Sequence, residues 1–144
     1  MATPEAHASQ EVRNRASDWK ARLFRNNSGV LMNDVGVPVR FGLGNESQKM
    51  NKQFKTGDFV GWFPVTITPD MVGKEIAVFA NIEAKALGFK IKSVYPINSR
   101  EFAQNKFNEL VRKNNGIAGF ASNWQDVDNI VHEFHRRITS NEQD

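Results

Sequence analysis

The chain has 144 residues, 40% hydrophobic and 24% charged, close to globular averages, which excludes wholesale disorder. It contains no cysteine, which excludes a disulfide scaffold and any thiolate metal site and fits a reducing compartment. Lys and Arg total 19 against 16 Asp and Glu, a net charge of +3 that permits a polyanionic partner without demanding one.

The first residues lack the charged start and apolar run of a signal peptide. The longest apolar-leaning stretch, 76–80, is far too short to span a bilayer. These features predict a soluble, cytoplasmic protein with no membrane partner. With no internal repeat and no Pro- or Gly-rich boundary, one domain over 1–144 is the simplest organisation, with a polar tail frayed after about 139.

Thr3-Pro4 predicts a helix start, with Thr3 as cap and Pro4 in the first turn, and a helix running to about residue 22. Ala8, Val12, Ala16, Trp19 and Leu23 form its apolar stripe. Glu5 falls on that stripe, where a carboxylate is costly, and so calls for an explanation that Glu11, off the stripe, does not. Residues 23–26 predict a short strand entering the turn Asn27-Ser28-Gly29. Residues 37–41 predict an edge strand because of Pro38, 42–56 a loop and 57–63 a strand. One capped helical turn is expected at 68–73. The clearest alternation, at 75–85, predicts the principal strand. Helices are expected at 99–114 and 123–138, with a short buried strand at 116–121 between them. This order predicts an α/β domain, a mixed β-sheet flanked by α-helices.

Glu83 and Lys85, two apart on a strand, project from the same face, while Ala84 points the other way into packing. An acid and a base side by side at the end of an apolar strand suit catalysis: Glu83 can bind a divalent metal through oxygen, and Lys85 can orient water or offset phosphate charge. Alone, such a pair is more often a surface ion pair. Asp58 adds weight, because a hairpin-like return through the Pro69 turn brings it beside Glu83, and two carboxylates with a lysine make a Mg²⁺ or Mn²⁺ site. Gln104 leans towards the sheet from the stripe of Phe102, Phe107, Leu110 and Val111, where it can bond a catalytic carboxylate; a plain surface glutamine is an equal reading. The run Arg25-Asn26-Asn27-Ser28-Gly29 can hold a DNA phosphate or simply turn the chain. His132 and His135 are three apart, but no cysteine or further histidine completes a zinc site. No phosphate-binding GxxxxGK[ST] loop is present, so no nucleotide cofactor is expected.

Taken in order and spacing, several pieces resemble the virus-type replication-repair nuclease domain of the restriction-endonuclease-like PD-(D/E)xK superfamily, in its stand-alone bacteriophage form. They are Phe24 to Gly29, Thr56-Gly57-Asp58, Pro64 to Pro69, Val78-Phe79 through Ile82-Glu83-Ala84-Lys85-Ala86, Gln104 with Phe107, and Asn115 to Gly119. The resemblance implies a restriction-endonuclease-like fold and a Mg²⁺- or Mn²⁺-dependent DNA endonuclease. It implies that Asp58, Glu83 and the Ala84 carbonyl hold the metal, that Lys85 is the catalytic lysine, and that Gln104 completes the site. The first-helix acid would be Glu5, with Glu11 as the alternative. Small viral members are similar to Holliday-junction resolvases that act as homodimers on four-way DNA. Flap-, nick- or end-directed cleavage and a non-catalytic nucleic-acid-binding module are the alternatives. Arg13, Lys20, Arg25, Asn26, Asn27, Lys90, Lys92, Arg100 and Lys106 are the expected DNA contacts. The long segment 86–98 is expected to be an extra DNA-contacting loop or a dimer element.

Overall fold

Thr3 starts the first helix as its side chain requires: Oγ1 accepts the Ala6 N–H at 3.2 Å, with Pro4 in the first turn. These details come from a computed structural model that describes Met1 and residues 3–140. The chain is a mixed α/β protein that divides into two compact units, Met1–Ile67 and Thr68–Asp144.

In the first unit, α1 (Pro4–Asp18) packs on β1 (Arg22–Arg25). The helix stops short of the expected residue 22 because the chain turns at Lys20, φ +57°, whose N–H bonds the Ser17 carbonyl. Its predicted apolar stripe is not its packing face: Ala16 is buried, but Val12 and Trp19 are exposed. Strand β1 pairs antiparallel with β4 (Phe59–Trp62), and the rings of Phe24 and Trp62 lie 5.6 Å apart. Gly61 permits that pairing, since a Cβ there would collide with the Arg22 carbonyl. Between these strands, β2 (Gly29–Met32) and β3 (Pro38–Phe41) form a hairpin. Asn33 Oδ1 closes its turn by accepting the N–H groups of Val35 and Val37. The expected loop at 42–56 contains a short helix, α2 (Gln48–Gln53), capped by Ser47.

The second unit begins with a single 3₁₀ turn, Pro69–Met71. It continues as β5 (Ala80–Ala84), α3 (Arg100–Lys113), β6 (Ile117–Ala121) and α4 (Trp124–Thr139). Strands β5 and β6 are parallel, in register from Ala80–Ile117 to Ala84–Ala121, with α3 as the crossover. The helices start at side-chain caps: Ser99 Oγ accepts the Phe102 N–H at 3.0 Å and Asn123 Oδ1 the Asp126 N–H at 2.9 Å. Strand β5 is half the length its alternation predicts, because a strand persists only where a partner supplies hydrogen bonds and β6 is five residues long. The core gathers Val111 from α3, Ala118, Phe120 and Ala121 from β6, and Ile130 and Phe134 from α4. Arg112 and Arg137 donate to the Ala118 and Gly116 carbonyls, which covers the edge of β6 that faces away from β5.

Segment 86–98 joins this core. Phe89, Tyr95 and Phe120 form a ring cluster with centroids 5.3–6.3 Å apart, and Tyr95 is 7% exposed. Across the two units, the described strands pair as three two-stranded sheets where sequence patterning predicts one mixed sheet. Among the described residues, no helix is long and apolar enough to cross a membrane.

Candidate active site

Strand period two and helix period 3.6 meet on one polar seam in the second unit. From β5, Asn81 and Glu83, and Lys85 just past its end, face α3 and are half-buried, while Ala80, Ile82 and Ala84 are exposed. From α3, Glu101, Gln104 and Asn108 share one face. The elements run in opposite senses, so the pairs zip in reverse order. Asn81 Nδ2 donates to Asn108 Oδ1 at 2.8 Å, and Gln104 Nε2 donates to Glu83 Oε1 at 2.6 Å. Lys85 Nζ donates to Gln104 Oε1 at 2.8 Å and to Glu101 Oε1 at 3.1 Å. Gln104 therefore links the carboxylate and the ammonium through its two ends.

Lys85 is held on every side. Its ammonium stands 5.4 Å from the ring centroids of both Phe89 and Phe120, and its side chain is 13% exposed. The Glu101 carboxyl is held below its ordinary 4.5 first by a backbone hydrogen bond at the start of α3 and then by the Lys85 ammonium. Glu83 and Lys85 thus share a face as their spacing predicts, and Gln104 leans to the sheet as expected. Ala84 points the other way but into exposure rather than packing. Sequence inspection missed Asn81, Glu101, Asn108 and Phe89. The available signal was the matching run of polar residues at spacing two (81, 83, 85) and at spacing three and four (101, 104, 108).

The oxygen donors here suit a hard divalent ion. Glu83 has lone pairs beyond the one that Gln104 occupies. The hydrogen bonds Ile117 N–H to Phe79 O and Lys85 N–H to Ala121 O show that odd-numbered residues of β5 bond to β6. The Ala84 carbonyl consequently faces the opposite edge of β5. A carboxylate and a backbone carbonyl are hard oxygen donors of the kind that Mg²⁺ or Mn²⁺ takes. Among the described residues, no three His, Cys, Asp or Glu side chains cluster, and His132 and His135 are exposed.

Glu5 and Asp58 line one cleft in the first unit. The ladder of β1 and β4 extends by one bond, Asn26 N–H to the Asp58 carbonyl at 2.8 Å, which sets Asp58 beside the end of β1. Together with α1, this end of the ladder encloses a cleft of about 380 Å³ lined by Glu5, Ser9, Arg13, Arg25, Asp58 and Phe59 among others. Glu11 is not among its lining residues, so the helix acid that accompanies Asp58 is Glu5. Both acids are exposed. Arg13 also lies over the Phe59 ring at 5.5 Å, which fixes its stem at the wall of the cleft.

The other expected DNA contacts are dispersed. Asn26 is committed inside the first unit: Nδ2 donates to Thr56 Oγ1 and the Gly57 carbonyl, and Oδ1 accepts the Leu43 N–H. Asn27 Oδ1 accepts from Arg25 Nε at 3.0 Å. Lys20 is exposed just past the Trp19 cap of α1, and Arg100 is exposed at the start of α3. Lys106 pairs with Glu109 at 3.1 Å. Lys90 is exposed, and Lys92 lies on the segment whose aromatic residues pack inward, its N–H donating to the Tyr95 hydroxyl. Compared with protein-family models, with curated proteins and with solved structures, the chain finds no significant match.

Proposed function

We propose that this protein is a divalent-metal-dependent DNA endonuclease of the virus-type replication-repair nuclease kind, with a restriction-endonuclease-like arrangement. The observation that carries the reading is the bridge of Gln104 between Glu83 and Lys85, at 2.6 Å and 2.8 Å. A half-buried seam of acid, amide and amine contributes little to packing. It does have the donor set needed to cut a phosphodiester.

In this reading Glu83 and the Ala84 carbonyl are the metal ligands of the second unit, and Glu5 and Asp58 are the acids of the first unit's cleft. Bound Mg²⁺ or Mn²⁺ supplies Lewis-acid polarisation of the phosphate and acidifies water. Lys85, fixed by Gln104, Glu101 and the two phenylalanine rings, orients the attacking water and offsets the negative charge that grows on the phosphorane oxygens. Gln104 keeps Glu83 and Lys85 at constant spacing, so neither has to reorganise as the reaction proceeds. Arg13 and Arg25, beside Glu5 and Asp58 in the first unit's cleft, supply backbone contacts that fix register without reading bases. The substrate we assign is branched DNA, a four-way junction cut by a homodimer, in the cytoplasm.

The test is cleavage of labelled four-way, flap, nicked and linear DNA with Mg²⁺ or Mn²⁺ and with EDTA. Paired nicks in the junction, dependent on metal, are the expected result. Cleavage confined to flaps, nicks or ends removes the junction assignment. Binding without cleavage of any of them removes catalysis and leaves a nucleic-acid-binding module.

A further inference from the structure

A second cleft in the first unit, whose lining shares no residue with that of Glu5 and Asp58, is cationic. It has a volume of about 210 Å³ and is lined by Arg40, Lys55, Asn51, Ser28, Thr56 and residues 43–45 among others, with no acidic residue in the lining. Its shape is built in. Asn45 makes all four hydrogen bonds open to an amide: Nδ2 donates to the Gly29 and Phe41 carbonyls, both at 2.8 Å, and Oδ1 accepts from Asn51 Nδ2 at 2.7 Å and Arg40 Nη1 at 3.3 Å. Thr56 Oγ1 ties the floor to the Leu43 carbonyl at 2.7 Å. Gly42, at φ +97°, lies so close to Ser28 that a side chain there would strike its backbone.

One N–H of the Arg40 guanidinium is fixed by Asn45. The half-buried Arg40, with further N–H groups on its fork, and the exposed Lys55 both line the cleft. Two cations gathered in one concavity repel each other unless an anion joins them, and a fork plus a point charge is the donor set that suits a phosphate group. We propose that the Arg40–Lys55 cleft holds a backbone phosphodiester of the nucleic acid. The inference rests on the reading that DNA is the substrate, and it assigns Arg40 and Lys55 to binding rather than to cleavage.

Binding of a labelled duplex, measured in EDTA across a salt series, tests it. Each phosphate neutralised contributes about 0.9 to the slope of log affinity against log salt. The double variant Arg40→Gln/Lys55→Gln is expected to lose about that much slope and to bind more weakly, and Arg40→Lys is expected to restore part of it. Lys55 is exposed, so Lys55→Glu alone keeps the test decisive if the double variant fails to fold. An unchanged slope, or a wild-type protein that does not bind DNA, overturns the proposal. So does a cleft that takes inorganic phosphate, read by titration against the same variants, while the DNA slope stays constant. Metal-dependent cleavage by the same proteins is a separate readout: wild type that binds with the expected slope change but never cuts refutes the nuclease and supports the phosphate contact.

Discussion

Asn108 accepts a hydrogen bond from Asn81 at 2.8 Å while its own side chain is fully buried and its Nδ2 has no hydrogen-bond partner. The pair forms the lower rung of the seam whose upper rungs are Glu83–Gln104 and Lys85–Glu101. Its energetics are asymmetric. Removing Asn81 leaves Asn108 wholly orphaned in the core, whereas replacing Asn108 by leucine removes an amide that is already half satisfied. Chemical denaturation is expected to show Asn81→Leu destabilising by about 2 kcal/mol and Asn108→Leu within about 1 kcal/mol of wild type. Equal losses would mean that both asparagines matter only through packing.

Phe89 supports Lys85 from the segment 86–98. Phe89→Ala removes a ring that touches Tyr95, Phe120 and the ammonium, and is expected to cost about 3 kcal/mol by urea unfolding. Lys90→Ala, one residue on and exposed, is expected to stay within about 0.5 kcal/mol. If the segment served only as a DNA or dimer loop, the two substitutions would be alike in stability.

The carboxyls of Glu101 and Glu133 give a pH signature. Glu133 is held below its ordinary 4.5 first by its hydrogen bonds with Arg137, at 2.9 and 3.0 Å, and Glu101 by its backbone bond and by Lys85. A folded value below the unfolded one means that the folded state binds fewer protons in between. The stabilisation is therefore complete above the unfolded value and is lost as pH falls through the depressed folded value. Melting temperatures of wild type and of Glu133→Gln should differ most at neutral pH and converge in strong acid. A gap that widens on acidification would reverse the assigned sign.

Gly61 sets the distance between β1 and β4, and through it the position of Asp58. Gly61→Ala drives a methyl into the Arg22 carbonyl, which is backbone and cannot swing away. A loss of at least about 2 kcal/mol is expected, together with weakened amide protection at Arg22–Arg25 in hydrogen exchange. Unaltered protection there would show that the ladder tolerates a wider spacing.

How much was readable in advance depended on whether the cause was local. The starts of α1, α3 and α4 were legible because Thr3, Ser99 and Asn123 each make a bond three residues on, within the reach of a sequence pattern. Strand β5 was overextended because alternation reports a face and not a partner, and its partner β6 spans only Ile117–Ala121. Helix α2 was hidden because its residues carry no apolar periodicity and only Ser47 marks it. The strand β2 was missed because Val30, Leu31 and Met32 are all exposed and lack the alternation of a half-buried strand. In the seam, the shared face of Glu83 and Lys85 and the lean of Gln104 towards the strand are legible from spacing. Glu101 and Asn108 are not, because their role exists only once α3 lies antiparallel to β5.

Whether the Glu83–Gln104–Lys85 bridge serves metal-dependent DNA hydrolysis is read from single-turnover cleavage of a labelled four-way junction with Mg²⁺ or Mn²⁺, comparing wild type with Glu83→Gln. The expected result is cleavage by wild type that EDTA abolishes, and a fall of at least about 10³-fold in the variant, with folding and DNA binding retained. Cleavage undiminished in Glu83→Gln, or absent from wild type on every DNA form and metal, would contradict that role.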